Sequence, residues 1–311
     1  MNGEASKDPP TGGPSLARLE QLTTVGLLTL AIAWLLGFWN HSKWLACIGF
    51  VAIAFGYAAV LAIEFVAVKF INASDPVPQP SWWQLTKAWV GECITAPRVF
   101  CWRQPFFSNA VPDHLMGQTG KRGVVLIHGF VCNRGLCTPW LTQLKAEGQA
   151  FVAVNLHPVF ASIDAYATTI ERAVQQVIDA TGKPPVLVCH SMGGLAARAW
   201  LRTVPLGQEA QRAHHIITIG TPHGGAWLGR FGHGHNGRQM RLKCDWLTDL
   251  LPHAQERVRF TCWYSNCDNI VFPASTATLA GADNRHLPGV AHVALAFQAQ
   301  VLQQSLVIIR S

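Results

Sequence analysis

The chain has 311 residues, long enough for one large domain plus additional segments, and only 13% of them are charged, against about 25% in an ordinary soluble domain. Either the core is unusually large or part of the chain lies in lipid. The formal charge of +7 does not make a nucleic-acid binder, because Lys and Arg are scattered rather than gathered in a stripe interleaved with aromatics; attraction to anionic lipid headgroups accounts better for the sign.

Residues 1–20 are rich in Gly, Pro, Ser and charge and are expected to form a disordered tail. From Gln21 to Ile63 only Lys43 is charged, and it falls in the short break Asn40, His41, Ser42, Lys43 between two apolar runs. Residues 21–71 therefore predict a transmembrane hairpin, with spans over 23–39 and 44–65, each near the roughly 20 residues that cross a bilayer as helix. Trp34, Trp39 and Trp44 lie toward the tip, at the level where amphipathic rings favour headgroups. A signal peptide fits less well, because its apolar core is shorter and gives way to a small-residue cleavage site and polar sequence. Here the apolar character resumes, and Trp44-Leu45-Ala46-Cys47 has Trp where a lipoprotein cleavage box has an aliphatic residue. Lys7 and Arg18 before the hairpin, and Lys69 and Lys87 after it, outnumber Lys43 at the tip. The positive-inside rule then puts both ends, and the domain that follows, on the cytoplasmic side of the inner membrane.

Residues 72–120 read as a linker and an interfacial helix. The stretch 72–80 is Pro-rich and cannot continue a helix. Ser81 is the expected N-cap of the next helix, with Trp82, Leu85, Trp89 and Cys93 on one face. That face either packs against the following domain or rests at the lipid interface.

Residues 121–311 alternate strand and helix signals, predicting an α/β fold with a doubly wound, mostly parallel sheet behind the two transmembrane helices. Strands are expected over 123–128, 150–156, 185–189, 215–219 and 258–264, with a short one over 285–289. Helices are expected from 139, over 163–180, from the end of the third strand to 203, and over 291–309. The nine cysteines are odd in number and lack a paired spacing, which argues against a disulfide scaffold. Cys132 with Cys137 and Cys262 with Cys267 could pair locally in an oxidising compartment; free, mostly buried thiols are the simpler expectation.

The chemistry centres on Ser191. An apolar strand ends in His190-Ser191-Met192-Gly193-Gly194 and runs straight into a helix-forming stretch, the pattern of a nucleophile elbow that exposes a serine beside the first N–H groups of a helix. Asp268 follows the 258–264 strand and His292 precedes the last helix, so Ser191, Asp268 and His292 stand in the order of a catalytic triad. In that arrangement His292 takes and returns the serine proton, and Asp268 orients the imidazole. His128, Gly129 and Phe130 close the first buried strand, where a glycine lets the backbone approach a bound acyl group. The N–H groups of Phe130 and Met192 are the expected oxyanion donors, and His128, Gly129 and His190 are expected to line the bound substrate. His286 and Asp283 are the alternative base and acid.

From Gly123 onward the chain resembles the α/β-hydrolase fold, and within it bacterial lipases and esterases. The strings that carry the resemblance are Leu126-Ile127-His128-Gly129-Phe130, His190-Ser191-Met192-Gly193-Gly194, Ile219-Gly220-Thr221-Pro222-His223-Gly224-Gly225, Gly237-Arg238-Gln239-Met240 with Trp246-Leu247, and Asp268-Asn269-Ile270-Val271-Phe272-Pro273. Cys189 stands where that family usually has Gly, and the resemblance does not reach residues 1–120. It implies that 224–251 forms a mobile lid or a wall of the acyl cleft. His233 and His235 are a weak metal signal without a third ligand. No phosphate-binding glycine loop or dinucleotide fingerprint appears, so no cofactor is expected.

The expected activity is that of a membrane-anchored serine esterase or lipase acting on apolar or lipid carboxylic esters. An acyltransferase or thioesterase could use the same triad, since all pass through an acyl-enzyme. A catalytically silent membrane protein of this fold, binding a partner or lipid, is the alternative from outside enzymology.

Overall fold

The computed structural model describes residues 16–116, 120–250 and 258–311. Of the expected tail, residues 1–15 lie outside the described residues, and Leu16 already opens the first helix. That helix, α1 (Leu16–Phe38), turns back on α2 (Lys43–Phe55), whose N-cap Ser42 accepts from the Leu45 N–H. Trp34 Nε1 donates to the Leu45 carbonyl across the hairpin at 3.1 Å. The second apolar run is not one uninterrupted span. It breaks at Gly56, where a Cβ would lie 2.5 Å from the Ala52 carbonyl oxygen, and resumes as α3 (Tyr57–Ile71). Among the described residues, the two helical segments long and apolar enough to cross a membrane are Leu16–Phe38 and Tyr57–Ser74, so the second candidate span sits later in the chain than expected.

Helix α4 (Trp82–Pro97) begins with a capping box: Ser81 Oγ accepts from Gln84 N, and Gln84 Oε1 accepts from Ser81 N. Its buried residues are Leu85, Ala88 and Glu92; of the expected stripe, Leu85 is buried and Trp89 packs beside it. Trp82 and Trp83 are instead 54% and 71% exposed. Leu85 and Ala88 pack with Phe65 and Val68 of α3 and with Cys267, Phe272, Ala291 and Ala294 further along the chain. A wide π-helical turn over Arg98–Arg103 and α5 (Gln104–Phe107) extend this segment beyond what periodicity indicates.

The sheet has six strands, all parallel, in the order β2-β1-β3-β4-β5-β6. They are β1 (Val124–Ile127), β2 (Phe151–Ala153), β3 (Val186–His190), β4 (His215–Ile219), β5 (Arg259–Tyr264) and β6 (Asp283–His286). The first three are buried along their whole length, as their unbroken apolar runs require of a sheet covered on both faces. Side chains alternate between those faces. Val125, Ile127 and Leu187 meet Ile170, Val174, Leu195 and Trp200 of α7 (Ala167–Thr181) and α8 (Met192–Leu201). Val124, Leu126 and Val186 meet Trp140 and Leu141 of α6 (Thr138–Ala146) and Leu306 and Ile309 near the C-terminus. Short helices α9 (Glu209–Arg212), α10 (His235–Gln239) and α11 (Asp245–Leu250) decorate the connections.

The expected closing helix is divided into α12 (His292–Leu295) and α13 (Ala299–Arg310). Successive i→i−3 hydrogen bonds from the Ala296, Phe297 and Gln298 N–H groups mark the break, and the Ala296 carbonyl accepts from the buried Trp140 indole. All nine cysteines are free thiols.

Candidate active site

Strand β3 ends at His190, and Ser191 adopts φ 54° and ψ −128°, a conformation that costs a non-glycine residue about 1–3 kcal/mol. The surrounding backbone holds it there. Ser191 N–H donates to the Ile219 carbonyl at 2.8 Å, and the Ser191 carbonyl accepts from Thr221 Oγ1 at 2.8 Å and from Gly194 N at 3.1 Å. The turn needs glycines because backbone comes so close: a Cβ at Gly193 would lie 2.5 Å from the Ile127 carbonyl oxygen, and one at Gly129 would lie 2.8 Å from Ser191 Cβ. Cys189 causes no conflict, since it is wholly buried within β3, paired with Ile127 and Thr218 upstream of the turn.

Gly129 therefore lies directly against the serine, and Phe130 is the next residue of that loop, followed by Val131 at φ 49°. Met192 is the first residue of α8, and first-turn N–H groups have no partner inside a helix. The Phe130 ring is 36% exposed and meets Phe160 edge-on, with centroids 5.8 Å apart.

Two residues expected to line the substrate are buried among internal partners. His128 is 1% exposed and both ring nitrogens are used internally: Nδ1–H donates to the Gly129 carbonyl at 2.9 Å, and Nε2 accepts from Leu156 N at 3.1 Å. Burial pushes its pKa down to about 4 and keeps it neutral. His128 thus shapes the loop that carries Phe130. His190 is also buried, with Nε2 3.3 Å from the His292 carbonyl oxygen and the two rings 4.8 Å apart. Burial, reinforced by His292, lowers its pKa to about 3. It is a neutral spacer between the serine turn and His292.

Asp268 lies in the loop after β5 and is 2% exposed. Its Oδ1 accepts from Ile270 N and Val271 N, at 2.9 and 2.7 Å, which aims Oδ2 at His292 Nδ1, 2.8 Å away. Gly220, at φ 59° after β4, closes over this pair: a Cβ there would come within 3.0 Å of Asp268 Oδ2 and 3.1 Å of His292 Nδ1. Burial opposes charging His292, but the carboxylates of Asp268, Glu92 and Glu64 outweigh it and hold the imidazole pKa above its ordinary value. The alternative pair is occupied elsewhere, Asp283 with Arg285 at 2.7 Å and His286 stacked on Tyr264.

Around this centre lie residues that the sequence did not single out individually. Thr221 and Gly220 belong to the Gly220–Gly225 string, and in the same string the buried His223 lies 3.1 Å from Thr218 Oγ1 and 3.4 Å from the buried Arg198 guanidinium. Asn269 accepts from His292 N through Oδ1 and donates from Nδ2 to Glu64 Oε2. Glu92 accepts from Val293 N and Ala294 N. A carboxylate inside an apolar run was the available signal for Glu64 and Glu92. The expected lid region is tied to the acid loop, with Trp227 N–H donating to the Phe272 carbonyl and its ring stacked on Phe272; its last residue, Leu251, lies outside the described residues. Among the described residues no three His, Cys, Asp or Glu side chains gather as a metal site.

Solved structures share this fold at low sequence identity. The mature form of the Bacillus licheniformis lipase BlEst2 superposes with a TM-score of 0.55 at 13% identity, over 63% of this chain and 94% of that one. Aspergillus fumigatus lipase B gives 0.51 at 15% identity, over 88% of this chain and 72% of the other. No curated protein matches by sequence. The family model for the alpha/beta hydrolases matches residues 124–303, spanning every strand of the sheet, the serine turn and the Asp268–His292 pair. The chain belongs to the alpha/beta hydrolase family.

Proposed function

We propose that this hydrolase cleaves carboxylic esters through an acyl-enzyme on Ser191. The observation that carries the reading is the buried Asp268–His292 pair, 2.8 Å apart, covered by Gly220, whose neighbour Ile219 accepts the N–H of a serine held at positive φ. Ser191 Oγ attacks the ester carbonyl carbon as His292 Nε2 takes its proton, and Asp268 steadies the imidazolium through Nδ1. The N–H groups of Phe130 and Met192 receive the oxyanion, a contribution worth about 100- to 1000-fold in rate per donor in comparable sites. The tetrahedral intermediate collapses, the C–O bond to the alcohol breaks, and His292 protonates the departing alkoxide. Water then repeats the sequence on the acyl-enzyme, releasing the acid and restoring Ser191.

The apolar surfaces of α1, α2 and the part of α3 before Glu64 support an anchor in the bilayer, which would concentrate the site near lipid or other apolar esters. The excess of Lys and Arg flanking the hairpin supports a cytoplasmic catalytic domain. A C-terminal reporter that works only in the cytoplasm should be active; activity of one that requires export would invert this topology.

Labelling with a fluorophosphonate tests the chemistry. Wild type should label and hydrolyse short-chain esters, and Ser191→Ala should lose labelling and at least about 1000-fold of its turnover. A folded wild type that does not label removes the proposal.

A further inference from the structure

The two loops that carry the acid and the base are secured by side chains from the N-terminal segment, outside the matched family region. Glu92, midway along α4, is 1% exposed and puts one carboxylate oxygen on each of two backbone donors, Val293 N at 2.9 Å and Ala294 N at 3.1 Å. These are the two residues directly after His292. Glu64, on α3, receives Asn269 Nδ2 at 2.7 Å, and Asn269 Oδ1 receives the His292 N–H at 3.2 Å. Consecutive backbone N–H groups at 292, 293 and 294 are thus held by Asn269 and Glu92, and Asn269 is itself fixed by Glu64.

A buried carboxylate needs a reason, because desolvation is expensive unless hydrogen bonds or opposite charge compensate. Glu92 has two backbone donors, and the His292 imidazolium adds opposite charge when it forms. We propose that Glu92, with Glu64 acting through Asn269, is a positioning residue of the active site that fixes the His292 turn and supplies negative charge to its imidazolium. This rests on the serine-hydrolase reading above. It makes α3 and α4 part of the active centre as well as a connection to the hairpin.

The ionisable groups facing His292 are Asp268 from the loop after β5, Glu92 from α4, Glu64 from α3 and His190 from the end of β3. Burial raises the Glu92 pKa to about 7, with His292 and the two N–H groups opposing that rise. His190 stays neutral. A general base works unprotonated, so the acid limb of kcat/KM reports the His292 pKa in the free enzyme. Removing a neighbouring carboxylate lowers that pKa and moves the limb to lower pH.

The test is Glu92→Gln in the full-length chain in detergent, with turnover normalised to the fraction that labels with fluorophosphonate. We expect kcat to fall about 10-fold with KM nearly unchanged, since a displaced base costs rate rather than ground-state binding. The acid limb should move down by about half a pH unit or more. Glu64→Gln keeps an acceptor for Asn269 and should move the limb the same way by less, which supplies the test if Glu92→Gln does not fold. A purely structural Glu92 would lower Tm and the labelled fraction, yet leave the normalised kcat and the limb in place; that result overturns the inference while leaving the esterase reading intact. Failure of wild type to label overturns both.

Discussion

The serine half of the site and the acid–base half are built in different ways. The serine turn is assembled from neighbours in the sheet: Ile219 and Thr221 hold Ser191, and Gly129, Gly193 and Gly194 let β1, α8 and the loop after β4 close on it. The acid–base half is held largely from outside the sheet. Asn72 donates from Nδ2 to the Asn266 carbonyl and accepts from Ala274 N, Asp75 accepts from Ser275, and Glu64 and Glu92 reach Asn269 and the His292 turn. One half depends on backbone shape and the other on long-range polar ties. The first should fail by steric collision and the second by loosening.

Gly193→Ala should show the larger effect. The new Cβ would meet the Ile127 and His128 carbonyl oxygens at 2.5 and 2.7 Å, both of them backbone and unable to swing aside. Moving α8 away from β1 carries the Met192 N–H and Ser191 with it. We expect at least about 100-fold loss of turnover per folded molecule, together with about 1–3 kcal/mol of stability from overpacking. Turnover near wild type at unchanged Tm would break the claim that sterics define this half.

Asn72→Ala should do less to the rate. Asn72 is 2% exposed, and truncating it leaves the Asn266 carbonyl and the Ala274 N–H without their partner. Each buried group left unpaired costs about 1–3 kcal/mol, so Tm should drop by at least several degrees. Turnover of the remaining folded enzyme at low temperature should fall only a few-fold, because Asp268 keeps its own turn through Ile270 N and Val271 N. Loss of turnover on the scale of Gly193→Ala with Tm unchanged would show that the linker sets the chemistry directly. These outcomes, with Glu92→Gln between them in its expected effect on rate, order the two halves by how directly each touches the reacting atoms.

The elbow was legible in the sequence because its constraint is local. A buried apolar strand, a serine and two glycines within a few residues already imply the turn, and the glycines are explained by the backbone they approach. The pairing of Asp268 with His292 follows the expectation from their places after a strand and before a helix. In α4 a periodic pattern places Leu85 and Trp89 on the packed face but ranks tryptophan as buried and glutamate as exposed, whereas Trp82 points outward and Glu92 lies at that face. Nothing in the local sequence reveals the partner that makes Glu92 tolerable there, since Val293 and Ala294 lie some two hundred residues further along.

The sequence by itself determined the alternation of strands and helices, the parallel sheet, the serine turn and the apolar N-terminal helices. All of these follow from hydrophobic period, glycine placement and turn chemistry over short stretches. Only the tertiary structure decided that His128 and His190 are buried and bonded to backbone carbonyls, that the second apolar run is interrupted at Gly56, and that α3 and α4 reach the Asp268 and His292 loops. Those outcomes depend on pairing donors with acceptors across the folded chain. Burial makes such pairing obligatory, but which groups meet is fixed only when the sheet and the N-terminal helices are brought together.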